Sequence, residues 1–517
     1  MRWRWAAVAV TLLLAAMANA VAAADTSEFL KATNEYEHRI AQLSATDPSF
    51  PPALVARLDY GDFLAKQRDA NCLAHVDLAD QQRAALEHNV ATSVLLPDGA
   101  ARLADLKYRV AISRAYCSKG KAKQLQWRQD ARVAAEQTMK LYASIHQYLD
   151  VAVAQFNIAS LDHDLGQNDK ALSELRAALA LDQRYGLRED AEDNLTYLEK
   201  WQGHEATDIE AAELLNGFAG RTATLTFAWA PAIADWSELT DITHLHEAKT
   251  IRSVFSIQGT DTVSQQDANL RVSTAVTVVR ADIDKTLNVA ELELDTALVK
   301  ILSAAPSLLV TREGTFKELL NTDGYIATAS QQIVELPEKL LPQADKRVAK
   351  LREDYAQLAR TTLTKDQLLN KAREEFNINT GMWVGSTLTQ NRWLTTEAKM
   401  PMPGTPDGFL DHVLQYAFVA WTPCDAADTE PRCVELAIWA EPKDSGVQEI
   451  HDRMQKEGSG ELTYWSRTRI RLIVDPSNLR LYAHESRRYA YIAEGSRGQQ
   501  NIDMVADLDT VSMRYAQ

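Results

Sequence analysis

The sequence predicts an α+β multidomain protein, with an N-terminal α-helical region followed by an antiparallel β-sheet or open half-barrel with packed helices. Residues 28–218 repeat apolar side chains at the spacing of an amphipathic helix, as at Tyr36, Ile40 and Leu43. From Thr222 the composition changes to short segments rich in Thr, Val and aromatic residues, which are typical of strands. A chain of 517 residues is long enough for more than one hydrophobic core.

The first residues have the three parts of a secretory signal peptide. Arg2 and Arg4 form a basic start, residues 6–17 form an apolar run, and either residues 18–20 (Ala-Asn-Ala) or residues 22–24 (Ala-Ala-Ala) offer a cleavage site. This run is shorter than the roughly 20 residues that span a bilayer, and no later segment is apolar enough to do so. We therefore predict a signal peptide at 1–24, no integral membrane segment and a periplasmic location, with secretion to the medium as the alternative.

The net charge restricts the class of partner. The formal charge of −16 becomes −18 once the two arginines of the signal peptide are removed. A strongly acidic protein is repelled by phosphate backbones and by anionic membrane surfaces. We therefore expect no nucleic acid partner.

The four cysteines fit an oxidising compartment. Their number is even, and we predict one disulfide in each half of the chain, Cys72–Cys117 and Cys424–Cys433, although four cysteines allow three connectivities. Neither pair has the C-x-x-C spacing of a redox site, and a zinc site would need further ligands nearby. No cofactor and no metal are predicted.

One stretch of the helical region, residues 157–182, has the spacing of two short helices joined by a tight turn. The pattern has small residues at Ala159, Ala171 and Ala178, a glycine at Gly166 and a large apolar residue at Leu175. This pattern resembles the tetratricopeptide repeat, although Asp162 replaces its usual aromatic residue. The alternative is an ordinary Ala-rich hairpin of a helical bundle. A degenerate earlier repeat is predicted around Ser113 and Gly120, and a capping helix around 189–201.

The resemblance implies a role for residues 25–218 in binding a protein or a peptide. In such repeats the first helices form the binding groove, so that the predicted contact residues are Phe156, Ser160, His163 and Asp164. Lys and Asn, which the family uses to clamp an acidic C-terminus, are absent from these positions. A segment with mixed apolar and polar side chains is therefore the expected partner.

The second half of the chain is divided into three regions. We predict a first β-rich region at 219–336, a helical insertion at 337–379 and a second β-rich region at 380–517. The predicted local elements include strands at 222–229, 251–257, 270–279, 381–384, 434–439, 462–474, 479–494 and 502–513, a hairpin turn at Glu313–Gly314, one helix over 336–360 and a capping box at Thr364–Gln367. In element order and compartment, this half resembles periplasmic lipoprotein carriers of the LolA type.

Tryptophans are concentrated in this half, where seven of the eleven lie between Trp229 and Trp465. Such residues usually fill a hydrophobic core. The alternative is a cavity for an apolar ligand.

A stripe of arginines suggests a second site. Strand alternation places Arg467, Arg469 and Arg471 on one face, and a turn at 475–478 would pair Arg471 with Tyr482 and Arg469 with His484. Guanidinium groups bind phosphate or carboxylate in two-point contacts, so that an anionic ligand is one prediction. The alternative is that Asp503, Asp507 and Asp509 neutralise the stripe. The predicted patch contains Arg467, Arg469, Arg471, Arg480, Tyr482 and His484.

The sequence contains no motif that identifies a reaction. His244 and His246 lie two residues apart but lack an evident third metal ligand, and no serine stands in a G-x-S-x-G context. We therefore predict a non-enzymatic protein that joins an interaction module to a β-rich binding scaffold. The alternatives are a carrier of an apolar ligand or lipid and, from another class, a secreted hydrolase of unrecognised type.

Overall fold

The computed structural model describes residues 29–45, 47–203, 221–246, 249–283, 289–341, 346–401, 409–425, 428–456, 461–496 and 499–515. The chain divides into two compact units, Met1–Leu175 and Arg176–Gln517. The predicted signal peptide lies outside the described residues. None of the helices in the described ranges is both long and apolar enough to cross a membrane.

The first unit is helical, as the sequence predicts. Small residues on α5, α6 and α7 let these helices approach closely, with Ala115, Ala131 and Ala135 almost fully buried beside Leu161. The disulfide Cys72–Cys117 joins the start of α3 to the end of α5, in the predicted pairing. The described helices are α1 (29–43), α2 (Pro51–Ala65), α3 (Cys72–Glu87), α4 (Val90–Val94), α5 (Gly99–Cys117), α6 (Lys121–Ser144), α7 (Tyr148–Asp164) and α8 (Asn168–Tyr185), which continues into the second unit.

The turn between α7 and α8 contains the glycine that the sequence places there. Gly166 has a φ of 77°, a conformation that residues with a Cβ rarely adopt. Ala159, Ala171 and Leu175 are fully buried, as close helix packing requires. The departure at Asp162 also has a structural reason: its buried carboxylate accepts two hydrogen bonds from Arg132 of α6, at 2.5 and 3.2 Å.

The second unit contains a large antiparallel sheet, which agrees with the predicted α+β class. Two meanders, β2–β6 and β8–β13, meet where the last strand pairs with β2, so that the strand order is β6-β5-β4-β3-β2-β13-β12-β11-β10-β9-β8. The strands are β1 (Thr222–Thr224), β2 (Ala232–His246), β3 (Lys249–Gln266), β4 (Asn269–Ile283), β5 (Leu308–Thr311), β6 (Phe316–Leu319), β7 (Thr387–Thr389), β8 (Leu394–Pro401), β9 (Phe409–Thr422), β10 (Cys433–Pro442), β11 (Glu461–Val474), β12 (Leu481–Ser496) and β13 (Gln499–Tyr515). The short strands β1 and β7 pair separately.

Helices precede, interrupt and follow the first meander. Residues of α10, α11 and α12 pack together around Ile333 and Ala359. Of the predicted capping box, the N-cap bond is present, since the Thr364 hydroxyl accepts from the amide of Gln367 at 3.2 Å. The disulfide Cys424–Cys433 closes the loop between β9 and β10, as predicted. The described helices of this unit are α9 (Arg188–Gln202), α10 (Val289–Ser303), α11 (Thr322–Leu340), α12 (Val348–Thr362), α13 (Lys365–Asn379) and α14 (Asp444–Lys456).

Three predicted elements are wrong. The strand at 381–384 is a 3₁₀ turn, Gly381–Trp383, which buries Trp383 completely. The strand at 222–229 is reduced to β1. The single helix over 336–360 is two helices, because Leu341 has the extended backbone that a residue before proline adopts and α11 ends there.

The core of this unit occupies one half of one sheet face. Alternate residues of β9, β10 and β11, among them Phe418, Leu436 and Leu472, pack against Trp383 and Leu388. Leu472, His484 and Val511 lie directly opposite one another across β11, β12 and β13, so that the same face continues into the other half of the sheet. That other half carries the cavity described next.

Candidate functional site

A cavity of about 540 Å³ lies between the second half of this face and three helices. Its size is within the range of roughly 300–1,000 Å³ that small-molecule sites occupy. The sheet forms the floor of the cavity. Residues that lie directly opposite one another on neighbouring strands share a face and therefore form rows across this floor. The rows are Tyr515, Ala234 and Asp261, then Met513, Trp236 and Gly259, then Val511 and Glu238.

The helices supply the roof. Apolar side chains line it from α10, α11 and α13, and Phe376 also contacts Trp229 edge to face, with ring centres 6.1 Å apart. Trp229 is held in turn by the hydrogen bond that its indole N–H donates to the Leu479 carbonyl at 3.3 Å. The lining is therefore predominantly apolar and is contributed by Val299, Leu302, Tyr325, Leu368, Ala372 and Phe376.

A glycine lets the Trp236 ring lie against the sheet. A Cβ at Gly259, directly opposite, would be 2.3 Å from Cζ2 of Trp236 and 2.6 Å from the carbonyl oxygen of Ala275. The missing side chain therefore creates the space for the indole. The indole nitrogen is buried and interacts with the Asp261 carboxyl, whose pKa it lowers, but it forms no hydrogen bond of ordinary length and angle to a described residue.

The row of Tyr515 and Asp261 is the first polar layer of the cavity. Asp261 accepts a hydrogen bond from Thr274 at 2.7 Å, and burial raises the pKa of its carboxyl, against the opposing effects of Thr274 and Trp236. Tyr515 donates its hydroxyl to the Leu481 carbonyl at 3.0 Å, and burial raises its pKa. The Arg480 guanidinium lines the cavity here and lies 5.0 Å from the centre of the Tyr515 ring.

A second cluster of polar side chains lies around Glu238, on the side of Trp236 that is away from Asp261. Burial raises the pKa of Glu238, and the nearby carboxylate of Asp509 raises it further. Burial also raises the pKa of Asp509. Lys371 of α13 opposes both shifts, although it is largely exposed and lies 3.8 Å from Glu375 on its own helix.

The predicted arginine patch is divided between the two faces of the sheet. Arg471 lies opposite Glu485 and Arg469 opposite Arg487, so that the predicted register is wrong. The connection to β12 is longer than assumed and the ladder shifts between Ile473 and Val474. An odd shift in register moves every partner to the other face.

The stripe itself is paired with acids of β10. Arg471 donates to Glu435 at 3.1 Å, and Arg467 forms an ion pair with Glu441. Arg469 is 8% exposed and lies 5.4 Å from the Trp439 ring centre. These carboxylates differ from the predicted Asp503, Asp507 and Asp509, of which Asp507 pairs with Arg488.

The other three members of the predicted patch lie elsewhere. Arg480 lines the cavity, and Tyr482 packs edge to face on Tyr515, with ring centres 5.3 Å apart. His484 donates from Nδ1 to Asn379 of α13 at 2.9 Å, and burial lowers its pKa to about 4. His484 therefore stays neutral near pH 7.

The predicted groove residues of the first unit lie along α7. Phe156, Ser160 and His163 are partly buried, and Asp164 is exposed and forms an ion pair with Arg128 of α6 at 3.2 Å. Their helical spacing places them on neighbouring positions of one face. Their role in binding stays a prediction.

The histidines considered as metal ligands lie on β2 rather than in a connection. His244 is 3.7 Å from Asp503 of β13 through Nδ1 and one carboxylate oxygen. Glu247 lies outside the described residues. Within the ranges that the structure describes, no group of three metal-ligating side chains is found.

Sequence reasoning missed the cavity floor. No strand is predicted over residues 232–246, because Asp and Thr obscure the alternation of Ala234, Trp236 and Glu238. The alternation of these residues is the sequence signal that indicates a strand with one face toward the cavity.

Comparisons with known proteins give no family. No family model and no curated protein matches this chain. A solved structure titled "Lipid-protein interactions in lipovitellin" is similar with a TM-score of 0.27 and 7% identity, over 55% of this chain and 25% of that chain. This chain thus spans about a quarter of that one, and a TM-score of this size does not establish a shared fold.

Proposed function

We propose that the second unit binds an elongated apolar ligand in the cavity between its sheet and helices α10, α11 and α13. The cavity itself supports this proposal: it is a space of about 540 Å³ lined mainly by aliphatic and aromatic side chains. Each methylene group transferred there from water contributes roughly 0.8 kcal/mol to binding. A carrier or sensor of a lipid-like molecule fits this apolar lining better than a hydrolase does.

Filling the cavity tests the proposal. Val511→Trp would place an indole in the floor, whereas Ser512→Trp, one residue further, would place the same group on the exposed opposite face. Native mass spectrometry and calorimetric titration with 1-decanol should show binding to the wild type and to Ser512→Trp, and strongly reduced binding to Val511→Trp. Equal binding by both variants, each shown to be folded by circular dichroism, would contradict a ligand site in the cavity.

We also propose that the helical region 25–218 is a tetratricopeptide-like module that binds a protein or peptide. The buried small residues of α7 and α8 and the left-handed Gly166 support this resemblance. Immobilised full-length protein should retain a specific partner from periplasmic extract, and Ser160→Arg, in the proposed groove, should release it. Lys140→Glu, on another helix, serves as the charge-changed control.

We further propose that the protein is secreted, most simply to the periplasm. The two disulfides support an oxidising compartment. N-terminal sequencing of the mature protein should begin near residue 25, and an intact Met1 on protein recovered from cells would contradict cleavage.

A further inference from the structure

The cavity is not uniformly apolar, and its polar groups differ in whether they already have a hydrogen-bond partner within the protein. Asp261 already accepts from Thr274, and the Tyr515 hydroxyl already donates to the Leu481 carbonyl. Glu238 accepts from Thr240 at 3.3 Å. Each of these three groups thus already has a hydrogen-bond partner within the protein.

Two donors are different. The buried indole N–H of Trp236 has only the Asp261 carboxyl near it and forms no hydrogen bond of ordinary length and angle to a described residue, and no ion pair of the Arg480 guanidinium is found among the residues that the structure describes. Both groups line the cavity. A donor that lacks a well-formed hydrogen bond favours a ligand that supplies an acceptor.

The position of Arg480 is fixed by its neighbours. Its guanidinium lies over the Tyr515 ring, and its backbone amide donates to the Asn478 side chain at 2.8 Å. Leu479, just before it, has a φ of 57°, which bends the chain from the turn into β12. The guanidinium is therefore held at the end of the cavity where the row of Tyr515, Ala234 and Asp261 crosses the floor.

We propose that the ligand is an aliphatic carboxylate whose chain occupies the apolar cavity and whose carboxylate is bound by Arg480. This inference rests on the proposed function. A guanidinium presents parallel N–H groups that match the two oxygens of a carboxylate, whereas Lys371, the other cation of the lining, is exposed and lies beside Glu375. Trp236 supplies a further donor along the cavity wall.

The nearby carboxyl of Asp261 sets a condition on this binding. It lies in the same polar layer, and in its ionised form it repels an incoming carboxylate. Because burial raises its pKa, mild acidification protonates it more readily than an exposed aspartate. The other titratable groups of the lining are Glu238, Lys371, Glu375, Arg480 and Tyr515.

The experiment compares head groups on one chain length. Decanoate, 1-decanol and decylammonium are titrated into full-length protein and into Arg480→Met, with Arg514→Met as the matched control. Arg514 lies next to Tyr515 on the same strand but is exposed on the opposite face.

Decanoate should bind the wild type most tightly, and Arg480→Met should weaken it about 10- to 100-fold while leaving 1-decanol within about twofold. Arg514→Met should change neither. Equal affinities for decanoate and 1-decanol, or an unchanged decanoate affinity in a folded Arg480→Met variant, would overturn the assignment of the carboxylate but leave the apolar site intact. Preferred binding of decylammonium would mean that the site binds a cationic head group and would overturn the assignment of the carboxylate. No binding of any of the three compounds would contradict the proposed function as well.

Discussion

The contact between Gly259 and Trp236 should control both the stability of the sheet and the shape of the cavity. Gly259→Ala places a Cβ 2.3 Å from Cζ2 and 2.5 Å from Cε2 of the indole, whereas carbon atoms in van der Waals contact are about 3.5–4.0 Å apart. The ring must therefore move by more than about 1 Å, and the cavity is the space open to it. The same Cβ would be 2.6 Å from the Ala275 carbonyl, which can move only with its strand.

The expected cost follows from these two contacts. Overpacking of this kind typically destabilises by about 1–3 kcal/mol, and we expect a value near the upper end because one of the clashing atoms belongs to the backbone. Trp236→Ala removes the clash with the indole but not the one with Ala275. The double variant should therefore be more stable than the sum of the single changes predicts, by about 1–2 kcal/mol.

Urea unfolding of the wild type, the two single variants and the double variant measures this coupling. Calorimetric titration with 1-decanol should also show weaker binding to Gly259→Ala, since the displaced indole occupies the cavity. Free energies that add within about 0.5 kcal/mol would refute the reasoning, because they would mean that the two residues do not share this space.

Two further changes test buried charges. Burial raises the pKa of the Glu374 carboxyl to about 8 in the folded protein, whereas its unfolded value is about 4.3. The folded state therefore favours the protonated carboxyl, and the stability that this form contributes is present at low pH and is lost as the pH rises from about 4 to about 8. Glu374→Gln should remove this loss of stability, which is roughly 1–2 kcal/mol after allowance for the partial exposure of the side chain. Urea unfolding of the wild type and the variant at pH 5 and pH 8 measures the loss, and an unchanged pH dependence in the variant would contradict the prediction. Asp162→Ala should cost about 2 kcal/mol in thermal unfolding because Arg132 loses its two hydrogen bonds to the buried carboxylate and keeps only its pair with Glu136, and the double change with Arg132→Met should cost clearly less, whereas equal costs would exclude the ion pair as the cause.

Much of the architecture follows from local signals in the sequence. The helix start capped by Thr364 and the turn at Gly314, with its φ of 81°, need only a few neighbouring residues, and both are present. The long strands from β10 to β13 also match their predicted positions, because alternation over many residues leaves little ambiguity. The disulfide pairing follows because each pair lies within its own half.

The errors have a common cause, which is that a short segment cannot show what it packs against. The run around Trp383 is as apolar as a strand, but a turn places that side chain in the core with its N–H donating to the Ile378 carbonyl at 2.7 Å. The register of β11 and β12 depends on a turn whose last residue, Leu479, adopts positive φ. No residue type that favours this conformation stands there, so that the turn length could not be predicted.

That turn also explains why the candidate site was not predictable. In the expected register Arg480 joins a stripe of arginines, three of which the structure places with Glu435, Glu441 and Trp439 on the other face of the sheet. The actual register moves Arg480 alone into the cavity. Trp236 and Trp383 illustrate the same limit, since both are tryptophans of the β-rich half. Trp383 is enclosed by core residues of the strands, whereas Trp236 lines the cavity under the helices. Whether a tryptophan fills a core or lines a binding site is decided by the element that covers it, and this is a property of the assembled unit.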